Sequence, residues 1–271
     1  MSTRQAPDTE TAISAKSLGK VYRGEHQSVT ALKELSFSVS RGEFFSIVGP
    51  SGCGKSTLLR IIARLIDATT GNFEVNSREG SRPENSVVFQ EHALFPWRTV
   101  QKNVEFGLEM RGVPKQERSS TARDYLRKVG LEGFEDLYPH QLSGGMQQRV
   151  NISRAFANDP EVLLMDEPLG ALDAQTRHVL QEELLRIWNE EDKTIIYITH
   201  SLEEAILMSD RIGLMTSRPG TLKDVYEVDI PRPRTNKTRN RSDFNELYSE
   251  LWDSLEDEVQ ASMELRRAES Q

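Results

Sequence analysis

The sequence has very little cysteine and no long apolar run. Cys53 is the single cysteine among 271 residues, which excludes an internal disulfide and is typical of proteins from a reducing compartment. No segment approaches the roughly 20 apolar residues that a transmembrane helix requires, and the first residues lack the apolar stretch of a signal peptide. We therefore expect a cytosolic protein.

An excess of basic residues is also missing. The chain has 34 Lys and Arg against 42 Asp and Glu, so its formal net charge is -8. Because nucleic-acid backbones attract positively charged surfaces, this balance argues against sequence-independent binding of DNA or RNA. A hydrophobic content of 37% is that of a globular protein, and the length suits one main domain with additional segments.

A glycine-rich loop lies between a predicted apolar strand, 44–48, and a predicted amphipathic helix, 55–65. It matches the pattern G-x-x-x-x-G-K-[ST]. The matching residues are Gly49, Pro50, Ser51, Gly52, Cys53, Gly54, Lys55 and Ser56. In such a loop backbone N–H groups surround phosphates, while Lys55 reaches the β- and γ-phosphates and Ser56 ligates Mg²⁺. The alternative is a chance match in a glycine-rich turn; the flanking strand and helix favour nucleotide binding.

A second apolar segment, 161–165, leads into two adjacent acids, Asp166 and Glu167. Buried strands seldom end in this way without a partner, and Mg²⁺ is a partner that carboxylates prefer. Beside a phosphate loop, Asp166 is predicted to hold the metal. Glu167 projects to the other side and is predicted to act as general base toward an attacking water. Two solvated acids at a strand end are the alternative.

A third signal precedes another predicted helix, 144–157. Ser143 is a good N-cap, and Gly144 and Gly145 allow a ligand to approach the start of that helix closely. Ser-Gly-Gly alone is a weak signal because it is common in loops. Together with the glycine-rich loop, it gives the chain two candidate phosphate-binding helix starts.

The rest of the chain alternates between strand-rich and helix-rich segments. Antiparallel strands are predicted between 13 and 40, and helices predominate over 97–160. Strands return at 161–166 and 193–199, separated by a helix over 174–190. We therefore predict an α/β fold with a parallel-sheet core, an N-terminal antiparallel β subdomain and an inserted α-helical subdomain.

These segments together resemble the ATP-binding subunit of ABC transporters over residues 13–230. Leu142–Gln147 is similar to the signature that separates this family from other P-loop NTPases. The resemblance implies the P-loop NTPase fold of ABC ATPases, with a RecA-like core. It also implies a head-to-tail dimer, in which the phosphate loop of one subunit and Ser143–Gly145 of the other enclose one ATP.

Further positions match the same family. Tyr22 resembles the aromatic residue that stacks on adenine, and Thr57 completes the residues expected to bind ATP. Gln90 is similar to the glutamine that senses Mg²⁺ and water. Asp173 lies in a segment similar to the loop that joins the two sites across the dimer, and His200 resembles the switch histidine that contacts the γ-phosphate.

Three features resemble the branch of the family that imports nitrate, aliphatic sulfonates and taurine. Met146 stands where the general signature has glutamine. The aromatic-Pro-Trp segment 91–97 is either a surface for a membrane subunit or a plug in a local core. Segment 217–233 is similar to the end of the ATPase domain in that branch.

The resemblance implies an ATP-hydrolysing importer subunit that uses ATP and Mg²⁺ and pairs with a second copy. Its expected partners are polytopic permease subunits and, indirectly, a substrate-binding protein, with no role for nucleic acid. Its expected place is the cytoplasmic face of the inner membrane, where it would be peripheral. The alternatives are a soluble ABC ATPase acting on DNA or ribosomes, an exporter ATPase and a small-molecule kinase.

The two ends and the cysteine carry further expectations. Residues 1–11 are predicted to form a flexible tail, 12–230 the ATPase domain, and 231–271 a basic linker followed by an amphipathic helix. The linker is expected to be solvated, with contact to anionic lipid as the alternative. The helix, capped by Ser242, is expected to dock on this chain or its dimer mate. Cys53, beside Lys55 at a helix start, is expected to favour the thiolate.

Overall fold

The computed structural model describes residues 8–24, 28–76, 82–91, 93–191 and 193–269. The strands are β1 (Asp8–Arg23), β2 (Ser28–Arg41), β3 (Phe44–Val48), β4 (Thr70–Val75), β5 (Asn85–Val88), β6 (Val162–Asp166), β7 (Thr194–Ile198), β8 (Arg211–Met215) and β9 (Leu222–Glu227). The α-helices are α1 (Lys55–Ile62), α2 (Val100–Met110), α3 (Lys115–Lys128), α4 (Gly144–Ala157), α5 (Ala174–Glu191), α6 (Leu202–Met208) and α7 (Ser242–Glu269).

These elements form two compact units. The first, which we call the loop unit, contains the described residues up to Asn76 and from Lys193 onward. The second, which we call the signature unit, contains the described residues between them. The predicted helical segment 97–160 falls within the signature unit, where it contains α2, α3 and α4.

The loop unit is built on a mixed sheet with strand order β7-β3-β8-β9. Strand β3 runs parallel to β7 and β8, and β9 is antiparallel to β8. All residues of β3 and β7 are buried, which explains why both strands are continuous apolar runs. A separate antiparallel sheet, β2-β1-β4, confirms the predicted N-terminal antiparallel strands.

The signature unit pairs β5 with β6 in parallel and packs helices around them. Helix α4 has the predicted bounds, because strong local signals flank it. Leu126, Phe156 and Trp188 are fully buried and contribute to the core of this unit.

Two predicted boundaries are wrong. Strand β1 begins at Asp8, so residues 8–11 belong to a strand and not to a tail. Helix α1 ends at Ile62 and not at residue 65, because Arg64 has a φ of 56°, which a right-handed helix cannot contain.

The segment that was expected to be a solvated linker is partly buried. Arg234 is 6% exposed, and its guanidinium donates hydrogen bonds to four backbone carbonyls, those of Ile206, Ser209, Val228 and Ile230. Burial lowers its pKa to about 9. Arg232 pairs with Asp210 at 2.8 Å. These two arginines therefore fasten the segment to the loop unit, and the expectation of a solvated linker is wrong for them.

Helix α7 docks on the loop unit, as predicted for the same chain. Phe244, Leu251 and Leu255, members of its predicted apolar stripe, are buried. The helix packs against α6. Among the described residues, none of the helices combines the length and the apolar character needed to span a membrane.

Candidate nucleotide site

The glycine-rich loop between β3 and α1 is held in shape by its own lysine. The Lys55 ammonium donates to the carbonyl oxygens of Gly49 at 2.7 Å and Pro50 at 2.9 Å, and the residue is only 6% exposed. A backbone bond from Cys53 N–H to the Pro50 oxygen, 3.3 Å, tightens the same turn. The lysine therefore lies along the inside of the loop, where a phosphate would also bind.

The start of α1 suits an anion. Its N-cap, Gly54, has a φ of 110° and no side chain that could cap the helix. The amide N–H groups of the first turn point toward the loop, and the helix dipole places partial positive charge there. The geometry therefore fits the phosphates of a nucleotide.

Tyr22 lies beside the first turn of α1. Its hydroxyl is 3.4 Å from Thr57 Oγ1, its ring is 5.3 Å from Lys20 Nζ, and the residue is 41% exposed. An exposed ring at this position can stack on a base whose phosphates occupy the loop. The structure brings Tyr22 and Thr57 together, and the stacking role stays a prediction.

His200 follows β7 and lines a cleft together with Gly49, Pro50 and Ser51. The loop unit thus brings the predicted switch histidine to the phosphate loop. The turn that carries His200 is fixed by two residues that the sequence analysis did not single out, Glu204 and Thr199.

Glu204 is a buried carboxylate, 5% exposed, that accepts two hydrogen bonds at one oxygen. The donors are the Thr199 hydroxyl at 2.8 Å and the Tyr197 hydroxyl at 3.0 Å. Thr199 Oγ1 in turn accepts from the Ser201 N–H at 3.0 Å, and Ser201 caps α6. The Ser-x-x-Glu spacing of a capping box was the available signal.

In the signature unit, β6 ends at Asp166 and the next residue has an unusual backbone. Glu167 has a φ of 45°, in the left-handed region, which costs a residue with a side chain about 1–3 kcal/mol. Its carbonyl accepts from the Gly170 N–H at 3.0 Å, which stabilises the turn. The Gln148 side chain reaches the neighbouring Pro168 carbonyl from α4. Gln148 and the strained Glu167 backbone were not predicted.

The predicted cap of α4 is present. Ser143 Oγ accepts from the Met146 N–H at 3.3 Å, and Ser143 and Gly144 are exposed. The Gln147 side chain donates to the carbonyls of Pro139 and Leu142 at 3.0 and 3.3 Å, and so fixes the approach to the helix. This helix start is ordered and faces outward.

Asp173 begins α5 as a second cap in the signature unit. Its Oδ1 accepts from the N–H groups of Thr176 at 3.0 Å and Gln175 at 3.1 Å. Hydrogen bonds from Thr176 are the largest cause of a lowered pKa at Asp173. Asp173 itself is exposed, and its role in joining two sites stays a prediction.

Gln90 and the aromatic segment 91–97 follow β5. Asn151 of α4 contacts the carbonyl of Phe89, 3.5 Å away, just before Gln90. The fully buried Asn103 accepts from the Phe95 N–H at 2.8 Å and donates to carbonyls of the same turn. Phe95 packs on a neighbouring ring, whereas Trp97 is 72% exposed. Phe95 therefore belongs to a local aromatic cluster, while contact of Trp97 with a membrane subunit stays a prediction; His92 lies outside the described residues.

The expected thiolate at Cys53 is wrong. The residue is 1% exposed, and burial raises the pKa of its thiol more than the nearby Lys55 ammonium lowers it. The Sγ atom lies 3.8 Å from Lys55 Nζ. The sequence shows that Cys53 is close to Lys55, but it does not show that Cys53 is buried.

Comparisons with known proteins identify the family of this chain. The model of the ABC transporter family matches residues 32–170. An uncharacterized ABC transporter ATP-binding protein of Methanocaldococcus jannaschii is 49% identical over 253 residues, covering 93% of this chain and 94% of that protein. The nitrate import ATP-binding protein NrtD of Synechocystis is 43% identical, with 86% and 91% covered. The taurine import ATP-binding protein TauB of Roseobacter denitrificans is 42% identical, with 89% and 92% covered.

A solved structure shows the same fold. It is a dimeric ATP-binding cassette in a post-hydrolysis state, bound to ADP and phosphate. It superimposes with a TM-score of 0.71 at 32% identity and covers 81% of this chain and 100% of its own. The α/β P-loop fold expected from the sequence is thereby confirmed. With its phosphate loop, its signature helix and these relatives, the chain belongs to the ABC transporter family, as an ATP-binding subunit with ATPase activity.

Proposed function

We propose that two copies of this chain close around two ATP molecules and drive an importer for small anions. The phosphate loop and the capped start of α4 lie in different units of the chain, and each is suited to phosphate. A head-to-tail pair would bring Ser143–Gly145 of one copy onto the loop of the other. The dimeric cassette that superimposes on this chain supports that arrangement.

The proposal depends mainly on one contrast. The phosphate loop has Lys55 along its inside, whereas the N-terminal end of α4 is exposed at the surface. Lys55 occupies the inside of the loop, so the loop binds phosphate from within its own unit. Ser143 and Gly144 are exposed although their helix end is ordered by a cap. Such a helix end is accessible to a nucleotide that is bound in the phosphate loop of a second copy.

The residues present fit Mg²⁺ bound together with a nucleotide. No group of three or more His, Cys, Asp or Glu side chains able to hold a metal occurs in the described part of the chain. Mg²⁺ in nucleotide sites needs only one or two carboxylates, because other oxygen ligands, phosphate oxygens and water complete its shell. The Ser56 hydroxyl, the Asp166 carboxylate and the Gln90 amide would serve, and the ion would neutralise charge on the phosphates.

Hydrolysis then follows from the chain's own residues. A Glu167 carboxylate oxygen takes a proton from water while the water oxygen bonds to the γ-phosphorus and the bond to the β–γ bridging oxygen breaks. His200 contacts the γ-phosphate, and Tyr22 holds the adenine. Loss of the γ-phosphate removes the contacts that hold the two copies together, so the pair reopens.

The aromatic segment supports membrane subunits as the partners. Trp97 is 72% exposed while Asn103 and the ring of Phe106 hold its loop in place. A rigid and exposed aromatic is typical of a protein interface. The nitrate and taurine importers among the relatives support small anions as the cargo, delivered by a substrate-binding protein.

Glu167→Gln tests the chemical part of the proposal. We expect ATP binding to persist and steady-state ATP hydrolysis to fall about 10²–10⁴-fold, the usual contribution of a general base. Glu182→Gln, the same change at an exposed position of α5, is the control and should leave turnover unchanged. Near-normal hydrolysis by Glu167→Gln would remove Glu167 from this role.

Cargo and partners need a second experiment. The chain is co-expressed with candidate permease subunits, and ATP hydrolysis is measured in vesicles with a binding protein loaded with nitrate or with taurine. Stimulation by one loaded receptor supports an importer and names its anion. If no permease subunit co-purifies, or if none of the loaded receptors stimulates hydrolysis, the importer assignment is wrong.

A further inference from the structure

Helix α7 has one buried and one exposed apolar face. Leu251 and Leu255 pack into the loop unit. Next to them on the helix surface, Trp252 is 48% exposed and Met263 is 56% exposed, and the Trp252 ring is stacked on Tyr248 at 6.4 Å. Isolated exposed apolar side chains are common, but Trp252 and Met263 line one cleft together with Val259. We call these three side chains the apolar wall of α7.

That wall faces the phosphate loop. A cleft of about 300 Å³ is lined on one side by Gly49, Pro50, Ser51 and His200, and on the other by α7 through Trp252, Val259 and Met263. All of these residues belong to the loop unit. Any molecule that covers the phosphate loop at this cleft therefore also meets α7.

The wall is fixed in place. The Glu258 carboxylate accepts from the Ser217 N–H at 2.8 Å and pairs with Lys223 Nζ at 3.0 Å. The Tyr226 hydroxyl lies 2.7 Å from Ser254 Oγ. Because these contacts lie on the docked side of α7, the helix presents its apolar side chains without having to order them upon binding.

We propose that α7 is part of the surface on which a second copy of this chain closes, with Trp252, Val259 and Met263 contacting that copy beside its α4 start. This inference rests on the proposed nucleotide-dependent dimer and extends it to the C-terminal helix. The main reason is that the apolar wall of α7 and the phosphate loop line the same cleft, and the second copy would cover that loop.

The surface beside the α4 start, which the second copy would present, also suits an apolar contact. Ahead of Ser143, Tyr138 is 40% exposed and its ring is stacked on His140 at 5.9 Å. The α4 start thus carries an exposed aromatic with which an apolar wall can pack and exclude water. An anionic lipid surface suits α7 less well, because exposed acids flank the wall, including Asp253, Glu256 and Glu264.

The test uses a matched pair of methionines in the Glu167→Gln background. Met263→Glu places a charge in the cleft wall, and Met110→Glu makes the same change at a methionine that is 63% exposed at the end of α2. Dimer formation is measured by analytical ultracentrifugation in saturating Mg·ATP, and ATP affinity by titration at low protein concentration. Because a charge in the same cleft as the phosphate loop also disfavours ATP, the titration sets the Mg·ATP concentration that saturates each variant. At saturation we expect Met263→Glu to weaken the dimer at least tenfold and Met110→Glu to leave it unchanged.

The outcomes separate this inference from the proposed function. If Glu167→Gln dimerises and Met263→Glu does not alter the dissociation constant, or strengthens the dimer, the role of α7 is overturned and the nucleotide dimer stands. If Glu167→Gln binds ATP and stays monomeric, the proposed dimer fails and the inference fails with it.

Thiol labelling gives a readout without an added charge. In the Glu167→Gln background, Met263→Cys should lose at least tenfold in maleimide labelling rate with Mg·ATP at dimer-forming concentrations, and Met110→Cys should not. The native Cys53 is 1% exposed and supplies a slow background. Equal labelling of Met263→Cys with and without ATP, or protection by anionic vesicles without ATP, would overturn the proposal.

Discussion

The two helix starts that suit phosphate are built in opposite ways. The start of α1 follows a partly buried loop, has Gly54 at its N-cap, and has the Lys55 ammonium bonded to two carbonyls of that loop. The start of α4 is capped by the Ser143 side chain and is exposed. In the first, the lysine and the amide groups that suit a phosphate come from one unit of the chain. The second offers amide N–H donors at an exposed helix end. It therefore suits a nucleotide that is held mainly by another molecule.

Lys55→Ala gives the largest expected effect. Removing the ammonium deletes charge-assisted hydrogen bonds worth about 1.5–3 kcal/mol each. ATP affinity, measured by calorimetry, should therefore fall at least about 100-fold. Lys115→Ala, at an exposed position of α3, is the control and should bind normally. If Lys55→Ala retained native affinity for ATP, the N-terminal end of α1 would not be the main binding site of the nucleotide.

Alanine at one glycine from each helix start sharpens the comparison. A Cβ at Gly54, where φ is 110°, would lie 2.9 Å from the Ala31 carbonyl oxygen, whereas a Cβ at Gly145 would lie 2.8 Å from the Thr176 methyl group. We expect Gly54→Ala to lower the free energy of unfolding by about 2 kcal/mol or more, since backbone strain and overpacking add.

Gly145→Ala should stay within about 1 kcal/mol of the native protein. Its side-chain neighbour can rotate away, and alanine favours a helix over glycine by about 1 kcal/mol. Urea unfolding of both variants measures the difference. Equal losses would mean that the two helix starts are equally confined, which contradicts the contrast drawn from their packing.

The smallest expected effect concerns the anchor of α7. Burial raises the pKa of Glu258, but the Ser217 N–H and Lys223 lower it further, so it lies below its ordinary value of 4.5. The anchor therefore stabilises the docked helix above about pH 4.5 and is lost as the pH falls through the lower pKa of the folded state.

Glu258→Gln should remove that contribution at neutral pH. We expect hydrogen exchange over residues 242–263 to rise about fivefold, equivalent to roughly 1 kcal/mol for a partly exposed pair. Glu256→Gln, an exposed neighbour, is the control. After correction for intrinsic rates, unchanged exchange in Glu258→Gln would show that the apolar face alone holds α7.

Much of the fold could be predicted because its signals are local. The start of α4 follows from a serine cap, and β3, β6 and β7 follow from short apolar runs. The phosphate loop and the signature helix are likewise contiguous stretches, so their residues were identified without knowledge of packing.

The features that were missed depend on residues distant in sequence or on backbone angles. Arg234 is buried by carbonyls from two earlier segments, and Cys53 is buried by packing that its neighbours in the sequence do not reveal. The left-handed angle at Glu167 has no sequence signal, since glutamate rarely adopts it. Glu204 could have been found from its spacing to Ser201, but its bonds to Thr199 and Tyr197 could not.

The insertion of one unit within the other has a consequence for biosynthesis. Strand β3, which leads into the phosphate loop, pairs with β7 and β8, whose residues are made only after the whole signature unit. At translation rates of about 5–20 residues per second, β3 emerges on the order of ten seconds before its neighbours. During that interval a strongly apolar strand leaves the ribosome unpaired, while the inserted unit is completed and can fold first. Chaperones that hold nascent chains would be needed most at this stage, and slow codons within the insert would prolong it.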